Sequence, residues 1–244
     1  MARERQKMKH HDHRRTVGIR GHVVRRVVDQ FHRPRGFSGR LAGWVMANRS
    51  SNRRRNAWVI TLLDVAPTDR VLEIGFGPGI AIREAAARAT EGLVCGVDHS
   101  EVMLRQARRR NAGAIRAGRV DLRLATADRL PNFDAQFDKV LAVNSMGFWD
   151  DPVACLRAVR SLLRPGGRIA IASQPRSPGA TTETSRQAGE DMATCLVEAR
   201  FSDMQIETLP LKPPVVCVLA TNAAPWTVAS DIQATSDLRK RLQK

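Results

Sequence analysis

The chain has 244 residues, of which 43% are hydrophobic and 26% are charged, and this length suits one α/β domain of about 170 to 190 residues with additional segments. No apolar run approaches the ~20 residues that span a bilayer and no signal-peptide core is present, so we expect a cytoplasmic protein without a transmembrane segment. The four cysteines are scattered in apolar contexts, which predicts buried free thiols rather than disulfides or metal ligands.

The N-terminal part of the chain is strongly basic. Up to Arg55 it holds 16 of the 40 Lys and Arg residues but 3 of the 24 Asp and Glu residues, so +13 of the formal net charge of +16 lies here. Residues 1–35 carry few apolar anchors, and we expect a disordered arm. The cluster His10-His11-Asp12-His13 resembles a metal site, but a solvated arm is the favoured interpretation and no metal is predicted. The arm can meet RNA or an anionic membrane surface, which leaves peripheral membrane association open.

Residues 36–65 differ from the arm because apolar side chains recur among the arginines. Their spacing predicts two amphipathic helices that break around Ser50-Ser51-Asn52. An ordinary packed helix pair explains such a pattern, and so does a helix that lies on a membrane surface.

The stretch Val71-Leu72-Glu73-Ile74-Gly75-Phe76-Gly77-Pro78-Gly79 is the most informative in the chain. A short apolar strand ends there in an acidic residue and three glycines, which tolerate positive φ angles and let a ligand approach the backbone. Residues 80–89 predict the helix that follows, as in a nucleotide-cofactor loop. A dinucleotide fingerprint reads G-x-G-x-x-G and places a pyrophosphate on the helix N-terminus, whereas the spacing here is G-x-G-x-G.

A second buried strand runs from Leu93 to Val97 and is closed by Asp98, 25 residues after Glu73. A carboxylate at this position can accept hydrogen bonds from both hydroxyls of a ribose. Asp98 also lies in the N-cap region of a helix predicted from about Ser100 to Asn111, and the two roles are compatible.

The rest of the chain alternates strands with helices in the same way. Further strands are predicted over 120–125, 139–144 and 169–172, and a helix over about 153–163. This alternation indicates a parallel α/β sheet.

Four features in this order resemble the class I S-adenosylmethionine (SAM)-dependent methyltransferases that act on small molecules, such as those of quinone biosynthesis. They are the glycine loop after Glu73, the carboxylate of Asp98, the passage from Ala127-Asp128 through Phe137-Asp138, and the Pro165-Gly166-Gly167 turn before the fifth strand. The matches cover roughly residues 56–221. The resemblance implies a Rossmann-like, doubly wound sheet of seven strands with an antiparallel last strand. It places the last two strands at about 203–208 and 215–221, and the helix between the fifth and sixth strands within 182–199.

The charge distribution, the apolar pattern and the resemblance together predict four segments. They are a basic arm at 1–35, an N-terminal helical cap at 36–65, the methyltransferase domain at 66–222 and a C-terminal tail at 223–244.

The resemblance further implies SAM as the cofactor. In the family the acidic strand end and the glycine turn face the methionine part, and Asp128 matches by position the residue that accepts a hydrogen bond from the adenine amine. The cofactor-binding candidates are Glu73, Gly75, Gly77, Gly79, Asp98, His99, Ala127, Asp128 and Asn144.

Methyl transfer is an in-line displacement at a sulfonium, so positioning the acceptor and excluding water can supply most of the acceleration. The chain has no tyrosine, and its only histidine beyond the N-terminal part is His99, beside the expected ribose ligand. Asp150 and Asp151 are therefore the candidate bases, although a helix N-cap ahead of Pro152 is the favoured interpretation of this pair.

The expected acceptor side is apolar. Met146, Phe148 and Trp149 follow the fourth strand, and Trp44 lies in the segment that packs over the cofactor cleft in small-molecule methyltransferases. The Asn/Asp-Pro-Pro-aromatic motif of nucleobase-amine and glutamine methyltransferases is lacking, and so is a Pro-Cys nucleophile. We therefore expect an enzyme (EC 2.1.1.-) that methylates a small, lipophilic metabolite. The alternatives are a nucleic-acid methyltransferase that uses the basic arm, and a SAM-binding protein without catalytic activity.

Overall fold

The computed structural model describes residues 50–223. The predictions for the basic arm, for Trp44 and the first helix of the cap, and for residues 224–244 of the tail lie outside the described residues.

A seven-stranded sheet forms the centre of the described part. Its strands are β1 Arg70–Ile74, β2 Leu93–Asp98, β3 Val120–Leu124, β4 Phe137–Val143, β5 Leu163–Ser173, β6 Ser202–Leu209 and β7 Val215–Thr221. They lie in the order β3-β2-β1-β4-β5-β7-β6. Strands β1 to β5 pair in parallel, whereas β7 is antiparallel to both β5 and β6. The predicted seven-stranded sheet with an antiparallel last strand is confirmed.

Helices cover both faces of this sheet. They are α1 Ser50–Leu63, α2 Ile80–Arg88, α3 Glu101–Arg110, α4 Ala112–Arg116, α5 Pro152–Leu162 and α6 Thr182–Glu198. Side chains of α1, α2 and α3 join one buried cluster, here the α1–α3 face, and side chains of α5 and α6 join the other, the α5–α6 face. The fold is therefore the doubly wound, Rossmann-like α/β class that the sequence predicted.

Burial on both faces explains why the central strands are nearly continuous apolar runs. Successive side chains of a strand point to opposite faces. In β4, Val140 and Ala142 lie in the α5–α6 cluster while Leu141 and Val143 lie in the α1–α3 cluster.

The connection between β3 and β4, residues 125–136, contains no helix. Four apolar side chains of this connection instead pack against the cluster of the α5–α6 face: Ala125, Ala127, Leu130 and Phe133. An irregular segment thus covers this part of the sheet.

The buried side of helix α1 is polar near the start of the helix and apolar near its end. The buried residues near its start are Asn52, Arg55 and Asn56, and those near its end are Val59, Ile60 and Leu63. The apolar half joins the cluster of the α1–α3 face, while Arg55 in the polar half donates to Gln174, the residue that follows β5. Because α1 begins at Ser50, the predicted break at Ser50-Ser51-Asn52 corresponds to its first turn.

Strand β5 is longer than the predicted 169–172 because the Pro165-Gly166-Gly167 segment is drawn into the sheet. The N–H of Gly166 donates to Asn222 O at 2.7 Å, and the N–H of Asn222 donates to Gly167 O at 2.8 Å. The Asn222 side chain also donates to Leu163 O at 2.8 Å.

The cysteines are free and buried, as expected, and they are Cys95, Cys155, Cys195 and Cys217. Burial raises the pKa of the first three thiols to about 11 and that of Cys217 to about 12. Within residues 50–223, no helix combines the length and the apolar composition that crossing a bilayer requires.

Candidate cofactor and acceptor site

Four loops meet at the edge of the sheet where β1, β2, β4 and β5 end, since parallel strands bring their carboxyl ends together. They begin with Gly75 after β1, His99 after β2, Asn144 after β4 and Gln174 after β5. Most of the residues predicted for the site lie on these loops.

The glycine loop adopts the backbone that its sequence predicts. Gly75, Gly77 and Gly79 have φ angles of 77°, 51° and 75°, a region that favours glycine. A Cβ on Gly75 would lie 2.3 Å from the Cβ of Ser145, and one on Gly79 would lie 2.7 Å from the Cβ of Ala107, whereas one on Gly77 would meet nothing within 4 Å. The loop is therefore closely packed at its two ends and open at Gly77, where a ligand can approach the backbone.

Asp98 ties this loop to the following helix. Its Oδ2 accepts from Gly77 N at 2.8 Å and its Oδ1 accepts from Ser100 N at 2.8 Å. The N-cap of α3 is Ser100 itself, whose side chain accepts from the N–H of Met103. Asp98 thus supports the helix start from outside the cap. Since a carboxylate has about four lone-pair sites, it keeps acceptor capacity for a ligand hydroxyl.

The side chain of Glu73 is buried inside the protein. It is 2% exposed, and its Oε2 has no hydrogen-bond partner among residues 50–223. The pKa of this carboxyl is raised to about 8, mainly by burial and also by the charge of Asp98, although a hydrogen bond from the Ile82 backbone opposes both. Glu73 is therefore largely protonated at neutral pH. A buried polar atom without a partner is costly, and a ligand amine is one group that would satisfy it.

Sequence reasoning missed two residues whose side chains donate hydrogen bonds to carbonyl oxygens of the glycine loop. The Asn111 side chain, after the end of α3, donates to Gly79 O at 3.1 Å, and the Arg110 guanidinium donates to Pro78 O. Neither residue belongs to a recognisable motif, and their partners are 32 residues away in the chain.

Asp128, His99 and Ala127 lie at the rim of this edge. The Asp128 side chain is half exposed, and a hydrogen bond from Thr126, with smaller contributions from its own backbone and from Arg129, lowers the pKa of its carboxyl. His99 is mostly exposed, with Nδ1 at 3.9 Å from Asp98 Oδ1. Ala127 packs on the cluster of the α5–α6 face.

Asn144 is in the left-handed region with φ 54°. Its Oδ1 accepts from Gln174 N at 2.7 Å, so the side chain joins the ends of β4 and β5. The N–H of Asn144 donates to Ala172 O at 2.8 Å. The sequence indicated no such strain at this residue.

The expected apolar acceptor wall is present only in part. Met146 and Trp149 are each 5% exposed and belong to the cluster of the α5–α6 face, whereas Phe148 is 52% exposed. The cause is a 3₁₀ turn over Met146–Phe148, because residues three apart in such a turn lie on one side. The side chains of Met146 and Trp149 pack in the core and that of Phe148 faces outward, and the acceptor contact predicted for these three residues stays a prediction.

The two candidate bases differ in their surroundings. Asp151 is the N-cap of α5, and its Oδ1 accepts from Ala154 N at 2.9 Å, with Pro152 as the first helical residue. The helix-cap interpretation is thus confirmed for Asp151. Asp150 is exposed just before it, and its role as a base stays a prediction. In residues 50–223 no group of His, Cys, Asp and Glu side chains is arranged to hold a metal ion.

Known proteins resemble the chain in sequence. A family model described as a methyltransferase domain matches residues 71–167. The uncharacterized methyltransferase YdaC of Bacillus subtilis (strain 168) is 32% identical over 185 residues, which are 75% of this chain and 99% of that protein. The 27-O-demethylrifamycin SV methyltransferase of Amycolatopsis mediterranei (strain S699) is 35% identical over 135 residues, 53% of this chain and 49% of that protein.

Solved structures resemble it in fold. The N-methyltransferase NodS from Bradyrhizobium japonicum WM9, crystallised in complex with S-adenosyl-L-homocysteine (SAH), superposes with a TM-score of 0.59. The similarity covers 83% of this chain and 99% of that chain at 15% sequence identity, so it bears on the fold alone.

Proposed function

The chain belongs to the class I SAM-dependent methyltransferases, and from this premise we propose that it transfers a methyl group from SAM to a small organic acceptor. The observation that carries the proposal is the glycine loop, open at Gly77 and hydrogen-bonded to Asp98, at the edge where the parallel strands end. Ligands bind at this edge in open α/β sheets.

The residues at this edge fit SAM. The backbone at Gly77 leaves space for the cofactor, Asp98 keeps acceptor capacity for ribose hydroxyls, and the unpartnered Oε2 of Glu73 suits an amine. Asp128 offers an exposed carboxylate for an adenine amine. When bound, SAM supplies an electrophilic methyl group on a sulfonium.

We propose that the chain acts mainly by positioning and by excluding water, since in-line transfer needs no covalent enzyme nucleophile. Asp151 is engaged as a helix cap, which leaves Asp150 as the candidate base after β4. The role of this chain in the reaction would then be to hold the acceptor in line and to shield it.

We infer a small-molecule acceptor because a relative is named for methylating 27-O-demethylrifamycin SV. The exposed ring of Phe148 favours an apolar surface on that acceptor. The nucleic-acid alternative depends on the basic arm outside the described residues. It stays a prediction, as do a cytoplasmic location and a membrane contact.

The test is a screen of metabolite extracts with isotopically methyl-labelled SAM. We expect label in a small molecule with the wild-type protein and none with Gly77→Val, which fills the open space of the loop. Label found only in RNA would favour the nucleic-acid alternative. Tight SAH binding without label transfer to any acceptor would identify a SAM-binding protein without catalytic activity.

A further inference from the structure

A buried arginine without an acidic partner lies at the end of β5. Arg55 is 5% exposed. Its Nη1 donates to Gln174 Oε1 at 2.8 Å and its Nη2 donates to Asn52 Oδ1, while Nε has no hydrogen-bond partner. Among residues 50–223, no Asp or Glu forms an ion pair with it. Within this part of the chain, the Arg55 guanidinium is thus held by neutral amides.

This arrangement is unfavourable for a charged group. The pKa of Arg55 is lowered to about 10, mainly by burial and also by the positive charge of Arg176, so the guanidinium is still charged at neutral pH. A buried charge without an opposite charge is strongly destabilising. If Arg55 only held α1 against Gln174, a neutral donor would do so at less cost.

A second guanidinium shares the same acceptor atom. Arg176 Nη2 donates to Gln174 Oε1 at 3.3 Å, the oxygen that Arg55 also uses. Gln174 is itself held in place, because its Nε2 donates to Pro213 O at 2.9 Å and its N–H donates to Asn144. Two cations therefore converge on one rigid, neutral amide, and an anion there would balance the charge of Arg55.

The cluster lies on the other side of β1 from two of the cofactor candidates. Asp98 ends β2 and Asp128 follows β3, on one side of β1 in the sheet, whereas Gln174 follows β5, two strands away on the other side, where its N–H donates to the cofactor candidate Asn144. Neighbouring strands lie about 4.8 Å apart, so Gln174 is displaced by about 10 Å from the glycine loop along the sheet. Arg55 and Gln174 therefore lie beyond Asn144 on the β5 side of the edge, away from Asp98 and Asp128, where an acceptor has room beside the cofactor.

We propose that the methyl acceptor carries a carboxylate and that Arg55 binds it. This rests on the proposed function and names the acceptor class for the same site. A guanidinium presents parallel N–H groups that match a carboxylate in a bidentate pair. The unpartnered Nε and the charge of Arg55 give such a group a place to bind, so that acidic acceptors are selected over neutral ones.

The test measures binding of benzoate, with benzamide as the neutral analogue, by calorimetry at constant ionic strength, with and without SAH. We expect benzoate but not benzamide to bind the wild-type protein, and Arg55→Gln to weaken benzoate by about tenfold or more. Arg54→Gln, an exposed neighbour on α1, removes the same charge and is expected to leave benzoate binding unchanged. Equal benzoate affinity in wild type and Arg55→Gln overturns the proposal, as does tighter binding of inorganic phosphate than of benzoate.

A second variant keeps the test decisive if Arg55→Gln fails to fold. Gln174→Glu places a carboxylate beside Arg55 within the protein itself. We expect it to raise the melting temperature and to abolish benzoate binding, because the internal carboxylate occupies the guanidinium. Unchanged benzoate binding in Gln174→Glu would contradict the assignment.

The cofactor also carries a carboxylate. A third measurement therefore tests whether Arg55 binds the carboxylate of the cofactor or that of the acceptor. Binding of SAH is compared with binding of 5′-methylthioadenosine, which lacks the amino-acid part. We expect Arg55→Gln to change both affinities by less than about twofold. A selective loss of SAH affinity would assign Arg55 to the cofactor and overturn the acceptor proposal. None of these readouts uses methyl transfer, so failure of the proposed function would be recognised separately, by the labelled-SAM screen.

Discussion

Asp98 accepts hydrogen bonds from two backbone N–H groups, one in the glycine loop and one at the start of α3. We expect Asp98→Ala to weaken SAH binding by roughly 1.5–3 kcal/mol, the scale of a hydrogen bond to a charged group. The apo protein should also lose about 1–2 kcal/mol of unfolding free energy, because both donors lose their acceptor. Calorimetry and urea unfolding measure the two effects.

The matched control for Asp98 is Ser100→Ala, which removes only the helix cap. It should cost about 1 kcal/mol of stability and leave SAH affinity unchanged. If Ser100→Ala weakens SAH as much as Asp98→Ala does, the affinity follows the helix start rather than the Asp98 carboxylate.

Gly77 combines a positive φ with open space, and Gly118 does so as well, outside the loops of the site. Alanine at either position should cost about 1–2 kcal/mol of stability from the left-handed backbone. Only Gly77→Ala should also abolish SAH binding, since its methyl group would enter the space that a ligand needs. Isothermal calorimetry on both variants checks this, and SAH binding retained by Gly77→Ala would contradict the placement of the cofactor.

Glu73 makes the folded protein less stable as the pH rises from about 4.5 to about 8. Its pKa is raised from 4.5 to about 8, so the folded state holds a proton that the unfolded state releases. The resulting stabilisation is complete below about pH 4.5 and is lost as the pH rises to about 8, by at most about 1.4 kcal/mol per pH unit. We therefore expect Glu73→Gln to gain stability relative to wild type between about pH 5 and pH 8. Urea unfolding of both proteins at about pH 5 and pH 8 measures this effect. An equal stability difference between Glu73→Gln and wild type at the two pH values would contradict the prediction.

At the scale of single elements, the apolar half of α1 should account for most of its attachment to the sheet. Leu63 is fully buried, and Leu63→Ala should cost about 2–5 kcal/mol of unfolding free energy. SAH affinity of the folded fraction should not change, because Leu63 lies at the far end of the helix from Arg55. A stability loss well under ~1 kcal/mol in chemical denaturation would mean that α1 is only loosely attached.

Strands were the elements best predicted from the sequence. Strand β7 was expected at 215–221 as the last strand of the resembled fold and lies at Val215–Thr221, where burial on both faces accompanies an uninterrupted apolar run. The start of β5 was not predicted, because it depends on hydrogen bonds to Asn222, some 58 residues further on.

The candidate site was predictable only where local sequence dictates local structure. The glycine turn and the cap at Asp151 both follow from residue type and spacing. The Arg55–Gln174 hydrogen bond joins residues 119 apart, so no window of sequence contains its signal. The burial of Trp149 on the same side as Met146 depends on the 3₁₀ turn over Met146–Phe148, which its composition did not reveal.

For the whole molecule, the charge and the apolar anchors lie in different segments, and truncations can separate their roles. We expect deletion of residues 1–30 to leave SAH affinity and thermal stability unchanged, because a segment with few apolar residues cannot readily offset the entropy of ordering. Deletion through Trp58 also removes Arg55 and the polar half of α1, and should abolish turnover. Melting curves, calorimetry and label transfer measure these outcomes. Loss of activity in the shorter deletion would instead make the arm part of the acceptor site.

The burial of all four thiols has a practical consequence for following that arm. Thiolates are the species that react with maleimides, and every native thiol has a pKa of about 11 or 12 and lies inside the protein. A single cysteine introduced by Thr16→Cys would therefore be labelled selectively in the folded protein, without first removing native cysteines. A fluorophore or spin label attached there would report directly where the basic arm goes when SAH, RNA or anionic vesicles are added.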